Sequence, residues 1–391
     1  MHTHSHSDGP APASRGVKLV LAVVMAALFA LTVAGLVWLW PAPGQTPDKR
    51  PWLDEGAQLV SGTLVSVDLE RADGQLNVRL DSGQTVVAQA SPGVPAETMR
   101  PGESLQLIHF DAGANPVAGA DYVFFDYHRE WPMIAIAALF VLAVFAVARL
   151  KGLLALVGLG GALAMVWLFT LPALTAGKNP LLVALATAGA VLFIVIYLAH
   201  GVSVKSTTAL LGTFAGIAVV ACLAWAAIGF AKLTPLAGEN MAELAAAAPA
   251  VDVNGVLLCG MVLAGVGVLN DVTITQASAV WELRAAAPGD SRLAVFRHAM
   301  SIGRDHIAST VYTIAFAYVG TSLSLLTIAS TLDFSLTSLL TFEDIAEELI
   351  PTLVASIGLV LAIPITTALG AWLAVKPKTT GPSRDDRAGR P

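Results

Sequence analysis

Asn270, Asp271, Thr273, Thr275 and Gln276 fall inside the otherwise apolar run 255–278. A carboxylate in hydrocarbon costs about 2.5–3.5 kcal/mol on insertion scales, so such a residue meets a cavity, an ion or a partner charge. The chemistry that these residue types allow is proton or cation binding at Asp271, with Asn270 and Thr275 as neighbouring ligands. Lys205, close after His200, and the cluster Arg304-Asp305-His306 open two other apolar runs, and they supply the charge partners. A plainer use of the same residues is an ion pair of Asp271 with Lys205 or Arg304 that fixes helix register and moves nothing.

On a helical wheel Gly260, Ala264, Gly267, Asp271, Thr275 and Ser278 share one face, in steps of three and four. A small, polar face of this kind is expected to pack on other helices rather than on lipid, with Gly260 and Gly267 as close-contact points. Gly212 and Gly216 form a second such pair in GxxxG spacing. No nucleophile–base pair, GxSxG, HExxH or complete P-loop occurs, so neither an enzyme nor a cofactor site is expected. His2, His4 and His6 alternate in a polar tail without acidic or thiol partners, and no metal site is assigned to them. Cys222 and Cys259 sit in apolar runs and read as small packing residues.

The elements that must position these groups follow from composition. Of 391 residues, 55% are hydrophobic and 13% charged, with a mean hydropathy of +0.71. Soluble domains carry about 25% charged residues, so the class is a polytopic membrane protein. Without a basic domain, nucleic acid is excluded as a partner; the lipid bilayer is the surrounding medium. Apolar runs predict eight spans at about 17–40, 132–148, 152–171, 181–199, 209–230, 256–277, 308–328 and 352–375. The first is too long for a signal-peptide core and reads as an anchor. Arg149-Leu150-Lys151 leaves only a tight hairpin between the second and third spans.

Residues 41–130 are different: charged, rich in turn residues and alternating in polarity. Strands are expected at 59–67, 76–80, 85–88, 104–110 and 122–125, with turns at Ala72-Asp73-Gly74 and Asp81-Ser82-Gly83. Five short strands in this space predict a small barrel of OB or SH3-like type. Lys and Arg crowd the short loops on one side, such as Arg149, Lys151, Lys205, Arg284, Arg292 and Arg297. By the positive-inside rule both termini are cytoplasmic and 41–130 lies outside. Thr341 with Asp344 predicts a capping box for a short helix that Pro351 ends or kinks.

His200-Gly-x-Ser-x-Lys-Ser-x-x-Ala209, Gly212-Thr213, Leu269-Asn-Asp-Val272 with Ser278, Gly303-Arg-Asp305, Ala317-Tyr-Val-Gly320 and Pro364-Ile-Thr366 together resemble the YibE/F-like family of bacterial membrane proteins. Ser206, Asn270 and the Asp305-His306 step depart from the family's usual residues. The resemblance covers about 131–375 and implies a multi-pass plasma-membrane protein without bringing a substrate.

The expected organisation is a cytoplasmic tail (1–16), an anchor helix (17–40), an extracytoplasmic β-domain (41–130), a seven-helix membrane domain (131–376) and a second tail (377–391). The expected function is an ion- or proton-coupled permease for a small solute or ion. The alternative is a non-transporting envelope scaffold or signal relay whose β-domain docks a partner.

Overall fold

The computed structural model describes residues 15–49, 51–53, 56–68, 74–90, 96–111, 121–233, 239–332 and 335–374. The tail histidines His2, His4 and His6, the turn at Ala72-Asp73 and the tail 377–391 lie outside the described residues. The chain divides into two compact units, Asp48–Val147 on one hand and Met1–Pro47 with Ala148–Pro391 on the other.

The smaller unit is built on a closed five-stranded barrel of order β1-β2-β3-β5-β4, from β1 (Ala57–Asp68), β2 (Gln75–Leu80), β3 (Thr85–Gln89), β4 (Ser104–Phe110) and β5 (Tyr122–Tyr127). The alternation of polarity explains the closure, because inward positions Leu64, Leu76, Val78, Leu105, Leu107 and Phe124 are all buried in one cluster. Long β1 pairs with β4 over Ala57–Thr63 and with β2 over Gly62–Asp68, and a register shift between Leu64 and Ser66 falls within the β2 pairing. Gly83, at φ 89°, closes the β2–β3 hairpin, a backbone setting that a side chain would disfavour.

The larger unit is helical. Its elements are α1 (Arg15–Leu39), the latter part of α2 (Glu130–Met165), α3 (Leu171–Thr175), α4 (Pro180–His200), α5 (Val204–Ala231), α6 (Glu239–Ala247), α7 (Val253–Ala286), α8 (Arg292–Thr321), α9 (Leu323–Ser330), α10 (Leu336–Thr341) and α11 (Glu343–Leu373). Polar caps start the long ones. Asn179 accepts from the Leu182 N–H, Asp252 from Gly255 and Ser291 from Ala294, while Ser203 and Ser206 form a reciprocal capping box on α5. Helices α5, α7 and α11 pack on one another at the centre, flanked by α4 and α8, with α1 against α4. Small residues allow the close approach: a Cβ at Gly216 would stand 3.0 Å from Leu269 and 3.1 Å from Ala362.

Six helical stretches are long and apolar enough to cross a membrane, or seven if one bent pair counts as a span. The difference from the eight expected lies in 130–175, a 46-residue stretch that counts once. It is interrupted at Arg149 (φ 52°, ψ −139°) by one non-helical residue, where a hairpin is expected from the sequence. The span expected at 308–328 begins instead at Arg292 and bends by 67° where α8 meets α9 at Ser322. Two local expectations are corrected. Thr341 ends α10, its hydroxyl donating to the Thr337 carbonyl, and Phe342 stands at the N-cap of α11 with no side-chain cap. Pro351 and Pro364 both lie inside α11, which continues past them.

Candidate functional site

Helix α7 carries the site, and its sides face different surroundings. One side holds Val262, Val266, Leu269, Val272, Thr273, Gln276 and Ala277, all buried. Another holds Gly260, Ala264, Gly267, Asp271 and Thr275, all exposed within the chain. This corrects the packing expected of that small face. A Cβ added at Gly260 or Gly267 would meet nothing within 4 Å, whereas Gly212 sits directly on Thr366. The reason is volume: the larger apolar residues of α7 interlock with α5 and α11, and the small ones leave room beside them.

The buried side brings together polar groups. The hydroxyls of Thr213 on α5 and Thr273 on α7 lie 2.6 Å apart. Gln276 donates to the Ala299 carbonyl of α8 at 2.9 Å and to the Thr367 hydroxyl of α11 at 2.7 Å, and Thr367 in turn donates to the Ile363 carbonyl. One amide thus ties three helices at a fully buried point. Thr366, also buried, has a hydroxyl oxygen without a partner.

The exposed side brings one titratable pair together. His306 Nε2 of α8 stands 4.0 Å from Asp271 Oδ2, with side-chain exposures of 29% and 71%. That separation is too long for a hydrogen bond, and Nε2 is enclosed with no partner. A carboxylate and an imidazole so placed can exchange a proton after a small approach that closes the gap. Thr275 donates to the Asp271 backbone carbonyl at 2.9 Å rather than to its carboxylate. Asn270 points to another quarter: it lines a groove shared with α2 and α4, and its Oδ1 has no partner.

The expected charge partners divide. Among the described residues Asp271 forms its ion pair with His306, and neither Lys205 nor Arg304 makes one. Lys205 lies in the first turn of α5, and Arg304 and Asp305 are exposed on α8. Sequence reasoning passed over Thr367 and counted Arg284 among the loop charges, whereas it is buried. Among the described residues Arg284 is the largest fully buried side chain, and it donates to the Asp290 carbonyl at 2.8 Å, closing the α7–α8 loop. The signal for Gln276 was present, since it lies on a different side of α7 from Asp271, the side that carries Leu269, Val272 and Val280. Among the described residues no three His, Cys, Asp or Glu side chains gather as a metal site.

The smaller unit has its own polar cluster at the exit of β5. His128 Nε2 lies 2.9 Å from the Ser61 hydroxyl and its Nδ1 3.0 Å from Glu130. Arg129 binds Asp126 at 2.6 Å and lies over the Tyr127 ring. Desolvation raises the Tyr127 phenol above its ordinary pKa, so it remains a neutral packing group.

The fold defines a class: a mostly helical protein with several long apolar helices of membrane-spanning character and a small five-stranded barrel. Residues 136–376, more than half of the chain, match the YibE/F-like protein family, and the chain belongs to that family. No curated protein and no solved structure is significantly similar to it.

Proposed function

We propose that this chain is a proton- or cation-coupled permease for a small solute or ion, with Asp271 and His306 as the coupling pair. The observation that carries the reading is their 4.0 Å approach across α7 and α8, with the imidazole nitrogen lacking a partner. A carboxylate and an imidazole facing each other between two long apolar helices are the groups that binding a coupling proton or cation would use. The firm packing of α5, α7 and α11 on one side of α7, against an open side toward solvent or lipid, gives the pair a rigid backing.

The arrangement proposed with it has eight spans in the plasma membrane, both termini cytoplasmic and the barrel outside. A 46-residue helix is about 69 Å long at 1.5 Å per residue, about twice the hydrocarbon thickness. Counting 130–175 as two spans divided at Arg149 is therefore the economical reading. In a chain with Cys222 and Cys259 replaced by Ala, Ser82→Cys should react with an impermeant maleimide in intact cells. Ala286→Cys should react only after lysis.

Function is tested by comparing cells that express wild type or Asp271→Asn at equal abundance across a panel of solutes and metal salts. Hits then go to proteoliposome flux. Wild type should alter tolerance to at least one solute and move it, and both Asp271→Asn and His306→Gln should stop that movement. If wild type moves nothing and the substitutions change only abundance, the permease reading fails.

One observation favours the second reading, a non-transporting scaffold or relay. Trp52 and Phe125 pack with ring centroids 5.2 Å apart, tilted at 44°, on the surface of the smaller unit with 64% and 43% exposure, an aromatic pair of the kind that anchors protein contacts. Under that reading Trp52→Ser with Phe125→Ser would abolish the protein's phenotype, while Asp271→Asn would leave it intact.

A further inference from the structure

Where α5 ends and α7 begins, the two helices border a cavity of about 490 Å³. Trp225, Gly229 and Phe230 of α5 line it, with Asn254 and Leu258 of α7 and Asp252 just before that helix. Trp225, Phe230, Asp252 and Asn254 are all exposed, so the aromatic and polar groups are accessible to an incoming molecule. A Cβ at Gly229 would meet nothing within 4 Å, which leaves the α5 wall clear. The volume lies within the ~300–1,000 Å³ typical of small-ligand sites.

Three features of the lining select a cation. Asp252 Oδ1 accepts the Gly255 N–H at 3.1 Å, and among the described residues its carboxylate makes no ion pair. The N-terminus of α7 offsets about half an elementary charge, less than the carboxylate carries. Helix α5 ends at Ala231, one residue past Phe230, and a helix C-terminus carries partial negative charge. The Trp225 and Phe230 rings attract a cation over their faces. Among the described residues no Lys or Arg lines the cavity to compete. A carboxylate and helix-end carbonyls are hydrogen-bond acceptors, so an ammonium that donates is preferred to a quaternary one. Depth selects the molecule that brings it. At 28 residues α5 is about 42 Å long against about 30 Å of hydrocarbon, so as a span its ends stand among the lipid headgroups. A phospholipid places its ammonium at this depth and its chains along Leu258, and the Asn254 amide can donate to its phosphate.

We infer that this cavity holds the headgroup of a phospholipid with a primary ammonium, phosphatidylethanolamine, its ammonium on Asp252 and its phosphate toward Asn254. The site takes from the proposed arrangement only that α5 and α7 span the bilayer. It does not rest on the permease reading, since Asp252 is about 28 Å along α7 from Asp271 and binding is measured without flux.

The test is native mass spectrometry of the full chain in detergent, titrated with dioleoyl phosphatidylethanolamine, phosphatidylcholine or phosphatidylglycerol. The ethanolamine lipid should bind at about tenfold lower concentration than the other two, the worth of one charge-assisted hydrogen bond. Phosphatidylcholine is the close control, with the same net charge but methyl groups in place of the N–H donors. Asp252→Asn keeps an equally good N-cap on α7 and removes the charge, so it should bring the ethanolamine lipid down to the level of the choline lipid. Gly229→Leu, which fills the cavity from a position with free space beside it, should also remove the preference and keeps the test open if Asp252→Asn does not fold. Failure of wild type to prefer the ethanolamine lipid, or a preference that survives both substitutions, overturns the site. Displacement by equimolar glycerophosphoethanolamine, the headgroup without its chains, would make the occupant a free solute and overturn the lipid assignment.

Discussion

Thr213 and Thr273 meet hydroxyl to hydroxyl at 2.6 Å, both fully buried, where α5 crosses α7. Thr213 Oγ1 also lies 2.9 Å from the Ala209 carbonyl, so its proton goes there and it accepts the Thr273 proton. If Thr273 loses that acceptor, it can fall back on the Asn270 carbonyl at 3.3 Å. This fallback limits the cost of either deletion. Thr213→Val and Thr273→Val should each destabilise by about 0.5–1 kcal/mol, and the double variant by less than the sum. A double-mutant cycle on reversible unfolding in detergent measures the coupling. Strict additivity would show that the two hydroxyls do not interact.

Gln276 is a different case, because its amide has no equivalent alternative. It is 2% exposed and serves α8 through Ala299 and α11 through Thr367. Gln276→Leu keeps the volume but leaves a buried carbonyl and hydroxyl with fewer partners, at a cost of about 2 kcal/mol. The loss should be local to α8, whose buried residues Val295, Ala299 and Gly303 all belong to its first half. Amide hydrogen exchange should therefore accelerate in residues 292–303 before it does in α5. Equal acceleration throughout would place Gln276 outside the α8 attachment.

Hydropathy made most of the helices legible, and alternation with turn residues made the barrel legible, because both patterns follow directly from which side of an element is buried. What remained hidden depends on partners. The wheel put Gly260 and Gly267 with Asp271, but a glycine face suits a close helix contact and an empty groove equally well. Only the size of neighbouring residues on α5 and α11 decides between them. Lys205, Arg304 and His306 were all plausible partners for Asp271 from their depth alone, yet depth along a helix says nothing about its rotation, and of the three His306 is the one turned toward it. The bend at Ser322 has no proline to mark it, whereas the charges of Arg149 and Lys151 did mark the break at Arg149. Conversely Pro351 looked like an end and is internal, since neighbouring helices can support a helix past a lost hydrogen bond.

The two kinds of glycine predict opposite outcomes. Gly212→Ala drives a methyl group into Thr366, which is packed on all sides, and should destabilise the protein by about 1–3 kcal/mol and lower its abundance. Gly260→Ala meets open space in the middle of a helix and should leave stability unchanged or raise it by about 0.5–1 kcal/mol. Membrane abundance and thermal unfolding of the pair read this out. Loss of abundance in Gly260→Ala would show that another molecule covers the open face of α7.

The barrel's exit has an acid-side weakness whose sign follows from Asp126. Its carboxylate accepts the Tyr127 backbone N–H at 2.8 Å and the Arg129 guanidinium at 2.6 Å. These bonds, the backbone one first, hold its pKa below the ordinary 3.8. A carboxyl depressed by folding contributes stability above its unfolded pKa and loses it as pH falls through the folded value. Amide protection of β5 and the first turn of α2 in the full chain should therefore be level near neutrality and decline only below about pH 4. The side chain is 41% exposed, so the effect should be small and weaken with added salt. Asp126→Asn should remove this acid-side dependence and lower protection at pH 7. A decline that survives in Asp126→Asn would assign the acid sensitivity to another carboxylate.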